Sequence, residues 1–485
     1  MNEQPAVSLV AAARLRAAMR HGRGTGGDAD TDDSRAEGAA PRSVTVVELP
    51  ALLVNDETLR LAHPWPLLLA GMCIFLSGVF FPPQAYTQLL GDQCHMFLDA
   101  KLITFNLASV AMILAGIYVA GCTSAFGPPP QTSSENVYRP YPWTVGGFLV
   151  VLILMNLVSV YLFYRVGGIG SLLAALRGQV LFMTEMTKMK GTAGGEPWKA
   201  VLNVSSIALP AAWQCSRSFS RHSLIRVLLI VCILTYIPAA LLTAKRNFLT
   251  RPLLGALLVY LVWPLARRKV SGRQALMTCL LLGVLVVVAF LGMSALRKGI
   301  SGTTEATAEV IRYVIGPYNT EALIVNDEME VPGSRKGFYW TRWFWEFPVA
   351  DQYFELDRLR DRVLGEKAPY GTEERAPVLR KHGLTVTTAM PGFASTYVDF
   401  GWLGICAYFF VGLAAGGLWK SFLAQQPAGL LFYPVAAYSF VDCRANLIFP
   451  SIFTSYCLLV YVVMKFSMTF EGIATRNRSS GSLAA

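Results

Sequence analysis

The residues best suited to chemistry are cations at the edges of apolar runs. Lys245 and Arg246 close one run and Arg251 enters the next, within "TAKRNFLTR" (243–251). Arg444 follows Asp442 in "DCRAN" (442–446), which interrupts an apolar stretch from 428 to 466. Arg177 lies in "GIGSLLAALRGQVLFMTEMTKMK" (168–190). An arginine offers a planar fork of donors that matches phosphate oxygens two at a time, and a lysine adds a compact charge. Several such groups converging on one face would make an electrostatic clamp for a diphosphate. A single cation has a plainer use, snorkelling to lipid head groups, and Arg444 and Asp442 could neutralise each other. Ionisable groups at membrane depth are nonetheless candidates for function.

Other catalytic signatures are missing. There is no Ser–His–Asp order, no phosphate loop, no metal-ligand cluster and no Asp-x-Asp pair in a suitable place. The nine cysteines form no CxxC pair, and the five histidines are scattered. No metal and no cofactor is expected. Such a set suits an activated lipid donor, whose diphosphate needs charge stabilisation rather than activation.

What positions these residues is read from hydropathy. The chain has 485 residues, 54% hydrophobic and 15% charged, where soluble domains average about 25% charged. Apolar runs at 64–83, 102–121, 143–164, 199–215, 224–243, 248–265 and 275–293 approach the roughly 20 residues that cross about 30 Å of hydrocarbon. About 100 residues without a span follow, then 401–419 and the 428–466 stretch, read as two short helices and a hairpin. The expectation is an all-α polytopic membrane protein with about ten transmembrane helices. A disordered tail covers 1–60, about seven spans fall within 61–293, a long loop covers 294–400, about three spans fall within 401–467, and a second tail covers 468–485. The net charge of +11 is then read as loop cations that set topology and meet anionic lipid, and nucleic acid is not an expected partner.

Orientation follows from the densest basic connections, "SRSFSRHSLIR" (216–226) and "RRKVSGR" (267–273). Both fall on one side, which the positive-inside rule makes cytoplasmic, together with both termini. The opposite face then receives 165–198, the turn at 244–248, the loop 294–400 and the hairpin at 442–446. Its short basic turn works against the topology signal, which favours a task for Lys245 and Arg246 on that face. Within 168–190, apolar residues at helical spacing predict an amphipathic helix lying in the outer interface. "ATAEVIRYVIGPYNTEALIVND" (306–327) reads as a helix bent at Gly316–Pro317. The aromatic stretch "KGFYWTRWFWEFPVADQYF" (336–354) suits an interfacial belt, stacking on sugar rings, or a plug over the membrane helices.

The Lys245–Arg246 helix end, the long outer loop with "YVIGPYNTEALIV" (313–325), and "LTVTTAMPGFASTYVDFGWLGICAYFFVGLAAGGLW" (384–419) together resemble the Wzy-type oligosaccharide repeat-unit polymerases of O-antigen and exopolysaccharide assembly. The resemblance covers about 65–466, and its most specific piece is the Thr-rich segment followed by Tyr397, Asp399-Phe400-Gly401 and Gly404. Arg360 and Gly371 fit the Arg-x10-Gly spacing of some members, but so many arginines make one match expected by chance, and it carries no weight.

The resemblance implies a GT-C-like glycosyltransferase of the bacterial inner membrane, active at the periplasmic face on undecaprenyl-diphosphate-linked oligosaccharides as donor and acceptor. Arg177, Lys245, Arg246 and Arg444 would hold the diphosphate, with Arg246 foremost. Arg312, Tyr318, Thr387 and Thr388 would contact substrate. His382, Glu321 and Asp399 are candidates for the base. Asp399 also has a structural reading, as a carboxylate at the outer N-terminus of the helix it starts, with Gly401 and Gly404 allowing close helix approach. A repeat-unit flippase and a chain-length regulator are the implied partners. An O-antigen ligase shares donor and topology, and a transporter for lipid-linked sugars is the further alternative.

Overall fold

The structure is a computed structural model that describes residues 61–90, 96–122, 142–176, 195–217, 223–242, 247–262, 302–329, 337–345, 354–365, 392–424, 426–442 and 454–465, with isolated positions elsewhere. Among these the chain is helical throughout, with no strand. Proline and aspartate set several starts. Pro64 opens α1 (Pro64–Val79), Pro83 opens α2 (Pro83–Leu90), and Pro427 opens α13 (Pro427–Val441), where a missing N–H costs nothing. Asp99 accepts the Leu102 amide at 2.9 Å to start α3 (Ala100–Cys122).

Four helices follow α3: α4 (Pro142–Leu176), α5 (Gly195–Arg217), α6 (Ser223–Leu242) and α7 (Asn247–Val262). Then come α8 (Thr303–Val325), α9 (Phe338–Trp345), α10 (Leu356–Leu364), α11 (Ala394–Phe400), α12 (Gly404–Leu423), α13 and α14 (Thr454–Lys465). Three segments are long and apolar enough to cross a membrane: Ala100–Cys122, Thr144–Tyr161 and Ala394–Leu423. The α1–α2 pair passes the same test as a unit but bends by 83°, so the run at 64–83 is a helix that turns at Pro82–Pro83. Shorter apolar helices lie at Leu224–Ala240, Leu249–Val262, Pro427–Val441 and Thr454–Lys465.

Two cores organise the helices. One gathers α4, α5, α6, α7, α13 and α14, with Leu202, Ile207, Cys232, Leu258 and Tyr433 buried in it. The other gathers α1, α3, α8, α11 and α12 around Phe75, Phe105, Tyr318, Leu323 and Tyr408. Helix α13 serves both, because Phe440 belongs to the second core while Tyr433 belongs to the first. Leu154, Leu157, Val158 and Tyr161 on α4, and Leu224, Val227, Ile230 and Leu234 on α6, stand exposed at helical spacing. An apolar face of that kind suits hydrocarbon rather than water.

Close packing of α3 and α12 depends on glycine. A Cβ on Gly412 would fall on the Ile113 carbonyl oxygen, and one on Gly116 would fall on that of Phe409. A Cβ on Gly416 would lie 2.5 Å from Ala120 Cβ. Gly412-x-x-x-Gly416 and Gly116-x-x-x-Ala120 are the small-residue spacing that lets two helices approach to backbone contact. The pairs 113–412 and 120–416, with Phe105 against Trp402, run in the same order, so α3 and α12 are parallel.

Three expectations change. The helix expected to begin afresh at 168 is instead the end of α4, which continues to Leu176 as a 35-residue element. Gly401 assists no helix approach: it takes φ +57° with open space around it, a left-handed turn that glycine adopts without strain. Asp399 lies at the C-terminal end of α11 and does not start a helix. Gly404 does allow an approach, its missing Cβ leaving room for Thr396 Cγ2 at 2.6 Å.

Candidate functional site

Arg251 is the fifth residue of α7, 2% exposed, and is surrounded by three other helices. Asn203 and Ser206 lie three apart on α5 and so share a face. Arg251 Nη1 donates to Ser206 Oγ at 3.1 Å and to Asn203 Oδ1 at 3.4 Å. Its guanidinium carbon sits 5.6 Å from the centre of the Tyr438 ring on α13, within reach of a cation–π attraction. Tyr438 in turn pairs with Thr250 Oγ1 at 3.1 Å and donates to Asp442 Oδ2 at 3.3 Å. Asp442 caps the C-terminus of α13, where the helix dipole repels a carboxylate, and the Tyr438 hydroxyl and the field of Arg251 offset that repulsion. Tyr236 of α6 completes the cluster through Ser206.

The second polar group surrounds α8. Every residue from Ile315 to Val325 is buried. Tyr318 packs edge-to-face on Phe75 with ring centres 4.8 Å apart. Asn319 accepts the Phe97 amide at 2.9 Å and donates to the Tyr86 hydroxyl at 3.1 Å. Glu321, with no exposed surface, accepts from Asn106 Nδ2 of α3 at 3.4 Å. Burial pushes its carboxyl up to about 8, against the downward pull of the Asn106 bond. Beyond the helix, Asn326 donates to Asp99 at 2.9 Å, and Asp327, at φ 59°, pairs with Lys101 at 3.5 Å.

Asp399 and Thr396 hold the aromatic helix α9. Asp399 Oδ2 accepts the Trp340 amide at 2.8 Å, and the nearby amides of Gly337, Phe338 and Tyr339 favour its charged form, so it closes the N-terminus of α9 from another helix. Trp340 Nε1 donates to Thr396 Oγ1 at 2.8 Å, and that hydroxyl pairs with Tyr408 at 2.6 Å. Arg360 on α10 has no exposed surface; it pairs with Asp361 at 2.8 Å and covers the Phe338 ring at 5.5 Å. Asp399→Ala is expected to cost about 1–2 kcal/mol by releasing α9, read as a lower thermal midpoint and faster proteolysis within 338–345. Asp399→Asn, which still accepts amide hydrogens, should retain most of that stability.

Of the residues singled out by sequence, Arg177, Lys245, Arg246, His382, Thr387, Thr388 and Arg444 lie outside the described residues. Arg312 is half-buried and pairs with Glu309 at 3.3 Å, one turn back on α8. Tyr318 and Glu321 are brought together on the buried half of α8, while Asp399 serves α9. Sequence reasoning noted Arg251 only as entering a span and gave Arg360 no weight, yet they are two of the largest fully buried side chains among the described residues. The signal for Arg251 is its position inside the apolar run 248–265 rather than at its edge, with Asn203 and Ser206 likewise inside theirs. Tyr438 of α13 faces Arg251, while Phe440 two residues on belongs to the core that holds α8. Compared with protein-family models, curated proteins and solved structures, the chain has no match.

Proposed function

We propose that the protein is a polymerase of lipid-linked oligosaccharide repeat units, a multi-pass glycosyltransferase of the bacterial inner membrane with about ten spans and both termini cytoplasmic. The growing chain passes from undecaprenyl diphosphate to the non-reducing end of an incoming lipid-linked unit at the periplasmic face. The acceptor hydroxyl attacks the anomeric carbon, its proton goes to a base, and the bond to the diphosphate oxygen breaks with both electrons leaving on the diphosphate. The residues that neutralise that leaving charge are the ones the reading depends on.

The observation that supports this most is Arg251. A guanidinium enclosed in an apolar bundle is costly, and here it follows Lys245 and Arg246 by six and five residues in the sequence, in a segment richer in cations than topology requires. Its Nη1 donates to the neutral Asn203 and Ser206, and Asp442 at the end of α13 lies within its field. A repeat-unit flippase upstream and a chain-length regulator beside it fit the same reading.

The test is a gel of surface polysaccharide from a strain lacking this gene, complemented with the wild-type gene or an empty vector. The expected result without the protein is loss of the long-chain ladder with single repeat units still attached. Loss of every attached unit, with polymer still building on the carrier, would identify a ligase. An unchanged ladder would overturn both readings.

A further inference from the structure

Glu321 and Asn106 carry a matched pair of unsatisfied atoms. Asn106 Nδ2 donates to Glu321 Oε2 at 3.4 Å, yet the remaining polar atom of each side chain, Glu321 Oε1 and Asn106 Oδ1, is buried with no hydrogen-bond partner among the described residues. Both side chains have no exposed surface. An ionised carboxylate can only accept, and so cannot serve Asn106 Oδ1, which is itself an acceptor. One proton resolves both deficits. A carboxylic acid and a primary amide have complementary edges, each with one donor beside one acceptor, and together they close a ring of two hydrogen bonds.

We propose that Glu321 is a neutral acid in the folded protein and that its O–H donates to Asn106 Oδ1 while Asn106 Nδ2 donates to Glu321 Oε2, making a proton-dependent latch between α8 and α3. The inference does not rest on the polymerase reading and removes Glu321 from the candidates for its base. Burial is the physical reason for the proton, because an isolated carboxylate in this core would cost several times what the neutral acid does. The core that holds this half of α8, with Phe105, Tyr318 and Leu323 in it, is built of uncharged side chains.

The neighbouring titratable groups do not supply one either. On the elements packed against α8 these are Cys73 of α1, Tyr86 of α2, Lys101 of α3, Tyr397 and Asp399 of α11, and Tyr408 of α12. Lys101 is engaged with Asp327, Tyr86 with Asn319, Tyr397 with Asp327, and Asp399 with the α9 amides, while Cys73 is exposed. Tyr408 interacts electrostatically with Glu321 but spends its hydroxyl on Thr396 and Phe393. On α8 itself Glu309 and Arg312 pair with each other.

The latch fixes the direction of a pH dependence. Since the folded carboxyl titrates above its unfolded value, the folded state holds an extra proton across that interval. Its stabilisation is complete below the unfolded value and is lost as pH rises through about 8. The experiment is thermal unfolding of the detergent-solubilised full chain from about pH 5 to about pH 9.5, with infrared detection of a protonated carboxyl. The wild-type midpoint should fall from about pH 5 to about pH 8 and level off above it. Glu321→Gln, whose amide edge still closes two bonds with Asn106, should remain flat across the whole range. The acid carbonyl band should be present in the wild type at neutral pH and absent from Glu321→Gln. A wild-type curve parallel to that of Glu321→Gln, a Glu321→Gln protein that does not fold, or no acid band would each overturn the proposal.

Discussion

Gly412→Leu is expected to yield no folded protein, while Gly147→Leu is expected to leave stability nearly unchanged. The two glycines differ in what a side chain would meet. At Gly147 on α4 there is nothing within 4 Å, and the position is exposed on an apolar face. At Gly412 the first carbon already falls on the backbone of Ile113. Overpacked cores usually relieve strain by shifting side chains, at about 1–3 kcal/mol. A backbone carbonyl inside a helix cannot shift alone, so α3 and α12 must separate along their whole seam. That removes the close packing around Ile113, Ile117, Val411 and Ala415 and takes the cost beyond the upper end of that range. The check is recovery of a monodisperse peak in detergent and its thermal midpoint, with Gly412→Ala expected between the extremes. A Gly412→Leu protein with the wild-type midpoint would mean that the two helices do not touch there.

The second large effect concerns activity. Arg251→Met is expected to keep the protein folded and to lower polymer output by about 100-fold, the loss typical when one preorganised stabiliser of developing negative charge is removed. Methionine fills similar space without a charge, and replacing a buried ionic group by a well-packed apolar one is often neutral or stabilising. Arg251→Lys keeps the charge but not the fork that reaches Asn203 and Ser206 together, so an intermediate loss is expected. The measurements are ladder intensity and protein level from the same cells. Full polymer from Arg251→Met at normal protein level would remove Arg251 from the proposed diphosphate site. Loss of protein together with loss of polymer would mark it as structural.

Hydropathy located most helices closely, because length and apolarity are what a membrane selects. The run at 102–121 is α3 at Ala100–Cys122, 224–243 is α6 at Ser223–Leu242, and the break at "DCRAN" does separate α13 from α14. What hydropathy could not reveal is what a helix packs against. Helix α8 is only moderately apolar and reads as a helix lying in the outer loop, yet its second half is sealed in a core by residues distant in the chain, among them Phe75, Asn106 and Tyr408. Asp399 looks like a helix start because a carboxylate before an apolar run suits one, but the amides it serves belong to α9. The candidate site was legible only as a tendency of cations to gather near 243–251. The burial of Arg251 was not legible, because counting charges in loops treats it as one more cation at a span edge, while burial depends on which face of α7 the residue occupies.

The parallel seam between α3 and α12 bears on biogenesis. Helix α3 is among the first to leave the ribosome, and its partner emerges after all the other described helices except α13 and α14. Until then Gly116 has no backbone to meet, and until α8 arrives Asn106 has no Glu321. On the proposed reading an insertion intermediate is expected in which an early helix waits, its small-residue face open, for one of the last. Chains interrupted before Gly404 should accumulate in that state, and the quality-control proteases of the membrane should recognise them by the open face of α3 rather than by any defect in the segments already made.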